Sequence, residues 1–281
     1  MRRPAPTQGG RCVDLHAHTY FSDGTLPPEE LVALAIEKRL AALAVTDHDT
    51  LEALPRARAA AGADLELLPG IELSSAAEGT DLHILGYYVD PEFEPLSERL
   101  AHFRAERRQR ALNIVRRLGE LGAPVDPDVV LRLAGPGVVG RPHIAEALIQ
   151  AGHAHDLEDA FRRYLSARGE AFVPRPAFAP EEAIALIHSA NGVSVLAHPG
   201  SLMPQAVVEG LAEAGLRGIE VWHPQHTAST RKRLHGLASR LGLIETGGSD
   251  YHGPRRGADL GDLEVPIAVL EPLKQAAGVA G

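Results

Sequence analysis

Asp14-Leu15-His16-Ala17-His18 sets two imidazoles two residues apart at the end of an apolar run, and Asp23 follows in Ser22-Asp23-Gly24. Alternate side chains leave the same side of a strand, so Asp14, His16 and His18 are predicted to project together from a strand end. Neutral imidazole is the commonest protein ligand for a metal ion, and two that converge supply half of a four-coordinate site. Partners of the right chemistry recur along the chain: His48 in Thr46-Asp47-His48-Asp49, Glu72 in Gly70-Ile71-Glu72, His83, His198 before Pro199-Gly200, and Asp250 and His252 in Ser249-Asp250-Tyr251-His252. The set His16, His18, Asp23, His48, Glu72, His83, His198, Asp250 and His252 contains nitrogen and oxygen donors and no thiolate. It suits Mn, Fe or Zn and argues against a structural zinc site. A bridging carboxylate and water would let these residues serve two or three ions.

Placing such residues together requires a fold that collects strand ends. Short apolar runs over 41–46, 65–73, 82–89, 193–197, 218–222 and 243–246 read as buried strands, several of them ending in the candidate ligands. Helices alternate with them: one opened by Pro27-Pro28-Glu29-Glu30, one capped by Thr50 and stopped by Gly62, and others over 181–190, 204–214 and 229–241. An α/β barrel builds its site at the C-terminal ends of its strands. Residues 96–173 break this alternation with a long Arg-rich helix (96–121) and three shorter ones. The chain is therefore divided into a first barrel part (11–95), a helical insertion that caps the site (96–173), and a second barrel part (174–275). Within the insertion, Gly140-Arg141-Pro142-His143 opens a helix, where backbone N–H groups favour an anion.

The 281 residues carry a net charge of -9, which argues against a protein that coats nucleic acid indiscriminately. Cys12 is the sole cysteine, so no internal disulfide is possible. No run approaches the ~20 apolar residues of a membrane span. A cytoplasmic protein is expected, with a loose tail over 1–10, no membrane association and no obligatory protein partner. Arg104, Arg107, Arg108, Arg110, Arg116 and Arg117 read chiefly as a solvated helix surface, and those facing the site would attract a polyanion. Phe103, Tyr164 and Trp222 are the aromatics available for stacking on a nucleic-acid base. His102, His153, His155, His188 and His235 are assigned structural or surface roles.

The motifs Asp14-Leu15-His16-Ala17-His18, Thr46-Asp47-His48-Asp49, Gly70-Ile71-Glu72, Ala197-His198-Pro199 and Ser249-Asp250-Tyr251-His252 resemble those of the PHP (polymerase and histidinol phosphatase) superfamily. That resemblance implies a distorted seven-stranded TIM-like (β/α)7 barrel with a two- or three-metal centre. It places His16, His18, Glu72 and Asp250 on one ion, Glu72, His83 and His198 on a second, and Asp23, His48 and His252 on a third. Asp23 stands where many members have histidine. Manganese is the first choice of metal, with Fe, Zn and Mg as alternatives. Ser22-Asp23-Gly24, the insertion and the Gly-Arg-Pro-His motif are similar to the branch of nucleoside 3′,5′-bisphosphate phosphatases, some of which also trim short RNA from its 5′ end. The implied activity is a metal-dependent phosphoesterase acting on a small phosphorylated nucleotide, with short 5′-phosphorylated RNA as a further substrate. His16, His18, Glu72, Asp250 and His226 would be catalytic, and Arg141, His143, His223 and His226 would bind substrate. The alternatives are histidinol-phosphate phosphatase and a non-catalytic or polymerase-associated module.

Overall fold

The computed structural model describes residues 12–279 apart from 64, 78, 79 and 255; the tail expected over 1–10 lies outside the described residues. Its strands are β1 (Cys12–Asp14), β2 (Ala42–Val45), β3 (Glu66–Ala77), β4 (Thr80–Tyr87), β5 (Val193–Leu196), β6 (Gly218–Trp222), β7 (Ile244–Gly247) and the two-residue β8 (Val265–Pro266). They hydrogen-bond in the order β7-β6-β5-β4-β3-β2-β1-β8. The runs β1-β2-β3 and β5-β6-β7 are parallel, whereas β4 is antiparallel to both of its neighbours. Every side chain of β2 and β5 is buried, which explains why these segments read as unbroken apolar runs rather than alternating ones.

Contacts between the first and last long strands nearly close the sheet into a barrel. Leu15 N–H donates to Gly247 O at 3.1 Å, and His18 N–H donates to Tyr251 O at 2.9 Å. Gly248 makes this seam possible, because a Cβ there would lie 2.3 Å from the backbone N of His16. Beyond the seven strands expected, β8 adds an antiparallel edge to β1. Regular strand geometry in β1 ends at Asp14, so Asp14 does not join the two histidines. It accepts instead from the N–H groups of Ser249 (2.9 Å) and Gly261 (2.9 Å) and ties down the loop after β7.

Helices α1 (Pro28–Glu37), α2 (Leu54–Ala61), α7 (Pro180–Ser189), α8 (Gln205–Glu213), α9 (Ala228–Leu241) and α10 (Leu270–Ala277) flank the barrel strands. Thr50 does not cap α2, which starts four residues later with Pro55 in its first turn; the Thr50 hydroxyl accepts from Glu52 N–H within the preceding loop. Between β4 and β5 run α3 (Glu94–Glu120), α4 (Pro127–Ala134), α5 (Arg141–Gln150), α6 (Leu157–Ala160) and a π-helical turn, Phe161–Leu165. Leu96, Leu100 and Phe103 at the start of α3 bury against barrel residues, while Ile114 and Leu118 further along it bury with Val130, Ile144, Leu148 and Leu165. The long helix thus belongs to two apolar cores, one at each end. No helix among the described residues is long and apolar enough to cross a membrane.

Candidate active site

Glu72, fully buried in the middle of β3, is the hub on which the histidines converge. Its Oε1 lies 2.8 Å from His83 Nδ1 and 3.0 Å from His198 Nε2, and its Oε2 lies 3.1 Å from His48 Nδ1 and 3.3 Å from Nε2 of both His16 and His18. Asp250 Oδ1 faces the same two nitrogens of His16 and His18 at 3.3 and 3.2 Å. On the other flank Asp23 Oδ1 is 3.2 Å from His252 Nε2, and Asp23 Oδ2 is 3.8 Å from His48 Nε2. All nine donors anticipated from the sequence meet in one cluster. Three subsets hold their donor atoms within 4.8 Å of one another: His16 with His18 and Glu72; His48 with Glu72 and His83; and His18 with Asp23, His48 and His252.

The topology explains the convergence. The C-terminal ends of the parallel strands share one rim, and the reversed direction of β4 brings its beginning, with His83, to that same rim. Asp49, His198 and Asp250 hold left-handed backbone at φ 53°, 27° and 51°. That conformation is costly for residues with a side chain and recurs at functional sites.

Buried carboxylates in such numbers call for positive charge among them, supplied by a bound cation or by protonated imidazoles. Asp23 Oδ1, His48 Nδ1 and His83 Nε2 are buried without a hydrogen-bond partner, and an all-N/O donor set matches a divalent ion, so these residues fit a metal. Burial disfavours charge on His18, yet hydrogen bonds to Asp250 and Glu72 outweigh it and lift its pKa to about 10. Burial, helped by the neighbouring His18 and His83, pushes the other way at His48, down to about 3, against the pull of Glu72 and Asp23. Burial would raise the Glu72 carboxyl, but the surrounding imidazoles, led by His48 and His83, hold it well below the usual range.

Neighbours orient the rings of the cluster. Glu220 faces His16 Nδ1 at 3.1 Å with one oxygen and accepts from His198 N–H at 2.7 Å with the other. The Ser22 hydroxyl donates to Asp47 at 2.6 Å and lies 3.4 Å from His18 Nδ1. Each arrangement places an acceptor at Nδ1, so that the Nε2 lone pair, once its proton is given up, points into the cluster. Asp47 therefore acts on His18 through Ser22, not on the adjacent His48.

A second region opens directly beside this cluster. A cavity of about 200 Å³ is lined by Asp23, His48 and His83 of the cluster together with Arg107, Arg110, Arg141 and Arg175. Two carboxylates pair with three of these four guanidinium groups. Asp49 accepts from Arg107 at 2.7 Å, and Asp81 accepts from Arg141 at 3.0 Å with Arg175 at 3.6 Å. Burial and the crowding of Arg141 and Arg175 press Arg110 down to about 9. Nη2 of Arg110 and Nε of Arg175 are buried without a hydrogen bond. The pocket is short of negative charge.

The PHP domain profile matches residues 14–173. The chain belongs to the PHP domain family. The 5′-3′ exoribonuclease Rnm of Escherichia coli is 38% identical over 256 residues, covering 88% of this chain and 87% of that protein. The 3′,5′-nucleoside bisphosphate phosphatase of Chromobacterium violaceum is 33% identical over 269 residues, covering 93% of this chain and 94% of that protein. Among solved structures, a protein of Bifidobacterium adolescentis assigned as a metal-dependent phosphoesterase superposes with a TM-score of 0.88 at 34% identity, covering 97% and 98% of the two chains. This PHP protein is accordingly a metal-dependent phosphoesterase, with histidine, aspartate and glutamate clusters able to hold metal ions.

Other residues of the PHP chain sit differently from expectation. His226 is almost fully buried; its Nδ1 donates to Val221 O at 2.9 Å and its Nε2 accepts from Gly200 N–H at 3.1 Å. With both nitrogens bonded to backbone, the ring ties together the loops after β5 and β6. His143 is spent in part on its own helix, its Nδ1 accepting from Gly140 N–H at 3.0 Å. His223 Nε2 reaches Asp250 Oδ2 at 3.4 Å and so does point toward the cluster. His102 and His235 pair with Glu106 and Glu245 at the surface, and His188 contacts Ser194. Glu220, Asp81, Arg175 and the specific roles of Arg107 and Arg110 escaped the sequence reading. A lone acid inside the apolar strand Gly-Ile-Glu-Val-Trp was the available signal for Glu220.

Proposed function

We propose that this protein hydrolyses the 3′-phosphate of nucleoside 3′,5′-bisphosphates. The observation that carries this reading is the single cavity that joins the imidazole–carboxylate cluster to an arginine pocket with unmet positive charge. Two anion-seeking ends suit a substrate with two phosphates. The helical segment 96–173 acts as a cap that supplies Arg107, Arg110 and Arg141 to the second end.

His16, His18, Glu72 and Asp250 would hold one ion, Glu72, His83 and His198 a second, and Asp23, His48 and His252 a third, with manganese preferred. When bound, such ions supply Lewis acidity that activates water and neutralises charge building on the phosphoryl oxygens. The protein's own contribution is placement. Arg141 and Arg175 seize the 5′-phosphate through charge-assisted hydrogen bonds, exchanging the Asp81 carboxylate for a better acceptor. Arg107, fixed by Asp49 and Ser74, closes the other side of the pocket. His223 Nε2, at the cluster's edge, is the candidate proton donor to the departing 3′-oxygen.

The same geometry accommodates a second substrate. Removing one nucleotide from the 5′ end of RNA also breaks the bond between a 3′-oxygen and phosphorus while the 5′-phosphate is held. The relatives named as 5′-3′ exoribonucleases favour including short 5′-phosphorylated RNA. Chromatography of products from adenosine 3′,5′-bisphosphate with Mn²⁺ tests the reading: 5′-AMP and phosphate are expected, and 3′-AMP would contradict it. Arg141→Ala should raise KM about tenfold or more while changing kcat little, the scale of a lost charge-assisted hydrogen bond.

A further inference from the structure

The cavity has a third kind of wall that neither the metal cluster nor the arginine pocket uses. Beside the histidines and arginines it is lined by Val138, Pro142 and Phe161. Phe161 is only partly buried, and it is the one aromatic among the residues lining this cavity. The aromatics that the sequence offered for stacking are placed elsewhere. Phe103 and Tyr164 are 5% and 7% exposed and belong to the apolar cores, and Trp222 packs among core residues and lines a separate groove.

Phe161 is held firmly where it stands. It opens the π-helical turn 161–165, a wider turn of a kind frequent at functional sites. Ser166 N–H closes the turn by donating to Phe161 O at 2.8 Å, and the chain then doubles back, with Glu170 N–H donating to Arg163 O at 3.0 Å and Ala171 N–H to Tyr164 O at 3.0 Å. Gly169 permits this close approach, since a Cβ there would lie 2.4 Å from the carbonyl carbon of Tyr164. The Arg141 guanidinium lies 5.9 Å from the Phe161 ring centroid, which ties the ring to the arginine pocket.

We infer that Phe161 is the platform on which the base of the substrate stacks, with Val138 and Pro142 completing an apolar slot for a planar aromatic ring. This rests on the bisphosphate reading above and adds a requirement to it: the two phosphates set the position of the sugar, and the Phe161 face then selects nucleosides over sugar bisphosphates of the same charge. Stacking tolerates any base, so no strong preference among bases follows.

The test compares adenosine 3′,5′-bisphosphate with its base-free analogue, 1-deoxyribose 3,5-bisphosphate, on the Mn²⁺-loaded enzyme. The wild type should favour the nucleoside in kcat/KM by about five- to 150-fold, the range for stacking one base. Phe161→Leu, which keeps apolar bulk without an aromatic face, should erase most of that preference through KM, and Phe161→Tyr should retain it. Equal turnover of both compounds by the wild type, or a preference untouched in Phe161→Leu, would overturn the platform while leaving the phosphatase reading intact. Phosphate from neither compound would overturn both.

Discussion

Glu220 shows how much a single side chain decides at this site. It is fully buried inside β6, and its two oxygens meet the His16 ring and the His198 backbone. Glu220→Gln keeps the shape but weakens the hold on His16; loss of such a supporting contact reduces metal affinity on the order of 10- to 100-fold, measurable by titrating Mn²⁺ into chelator-treated protein. An unchanged affinity would remove Glu220 from the centre. His18 predicts the pH dependence. Its pKa of about 10 in the metal-free protein means that it carries a proton at neutral pH, and a ligating imidazole must lose it. Raising pH therefore favours binding, and each proton released makes the apparent affinity rise about tenfold per pH unit below that pKa. Titrations at pH 6.5 and 7.5 should differ in that direction; a flat profile would place the proton elsewhere. Residue identity made the nine clustered donors legible, because histidine and carboxylate at strand ends are conspicuous. Glu220 was not, since nothing in a lone strand acid tells which neighbour it will meet. The surroundings of His226 were hidden for a like reason: backbone groups that no sequence displays meet both its nitrogens.

At the level of elements, the seam between β7 and β1 sets the precision of the centre. Gly248 lies so close to His16 that a Cβ would sit 2.3 Å from its N and 2.5 Å from its Cβ. Gly248→Ala should push His16 out of place, cost about 1–3 kcal/mol as overpacking does, and abolish turnover; the urea midpoint and phosphate release together check this. Normal activity in this variant would show that the seam has slack. The helix and strand order was readable from apolar period and from proline at helix starts, and the long Arg-rich helix was anticipated within two residues at each end. The direction of β4 against β3 follows from their closeness in sequence, which leaves room only for an antiparallel hairpin, whereas its direction against β5, across the long helical segment, was not readable. That reversal is what carries His83 to the rim. The arginine pocket was hidden by distance in sequence: Arg107, Arg141 and Arg175 come from α3, α5 and the connection before α7, and only folding brings them to one cavity.

For the molecule as a whole, an acidic chain of net charge -9 concentrates positive charge in one internal pocket beside a metal-binding cluster. Long-range attraction of a polyanion is weak under that charge, and recognition falls to the cavity, which favours short substrates. Family membership was legible because the metal motifs are fixed by coordination chemistry. The choice of substrate was less so, since it depends on walls built from scattered residues. The most direct test of the account is phosphate release with Mn²⁺ from adenosine 3′,5′-bisphosphate, 5′-AMP and histidinol phosphate, side by side at equal concentration. The account predicts a kcat/KM for the bisphosphate at least about tenfold above either monophosphate, as the arginine pocket supplies charge-assisted bonds that they leave unmade. A preference for histidinol phosphate, or equal rates with the two nucleotides, would contradict it.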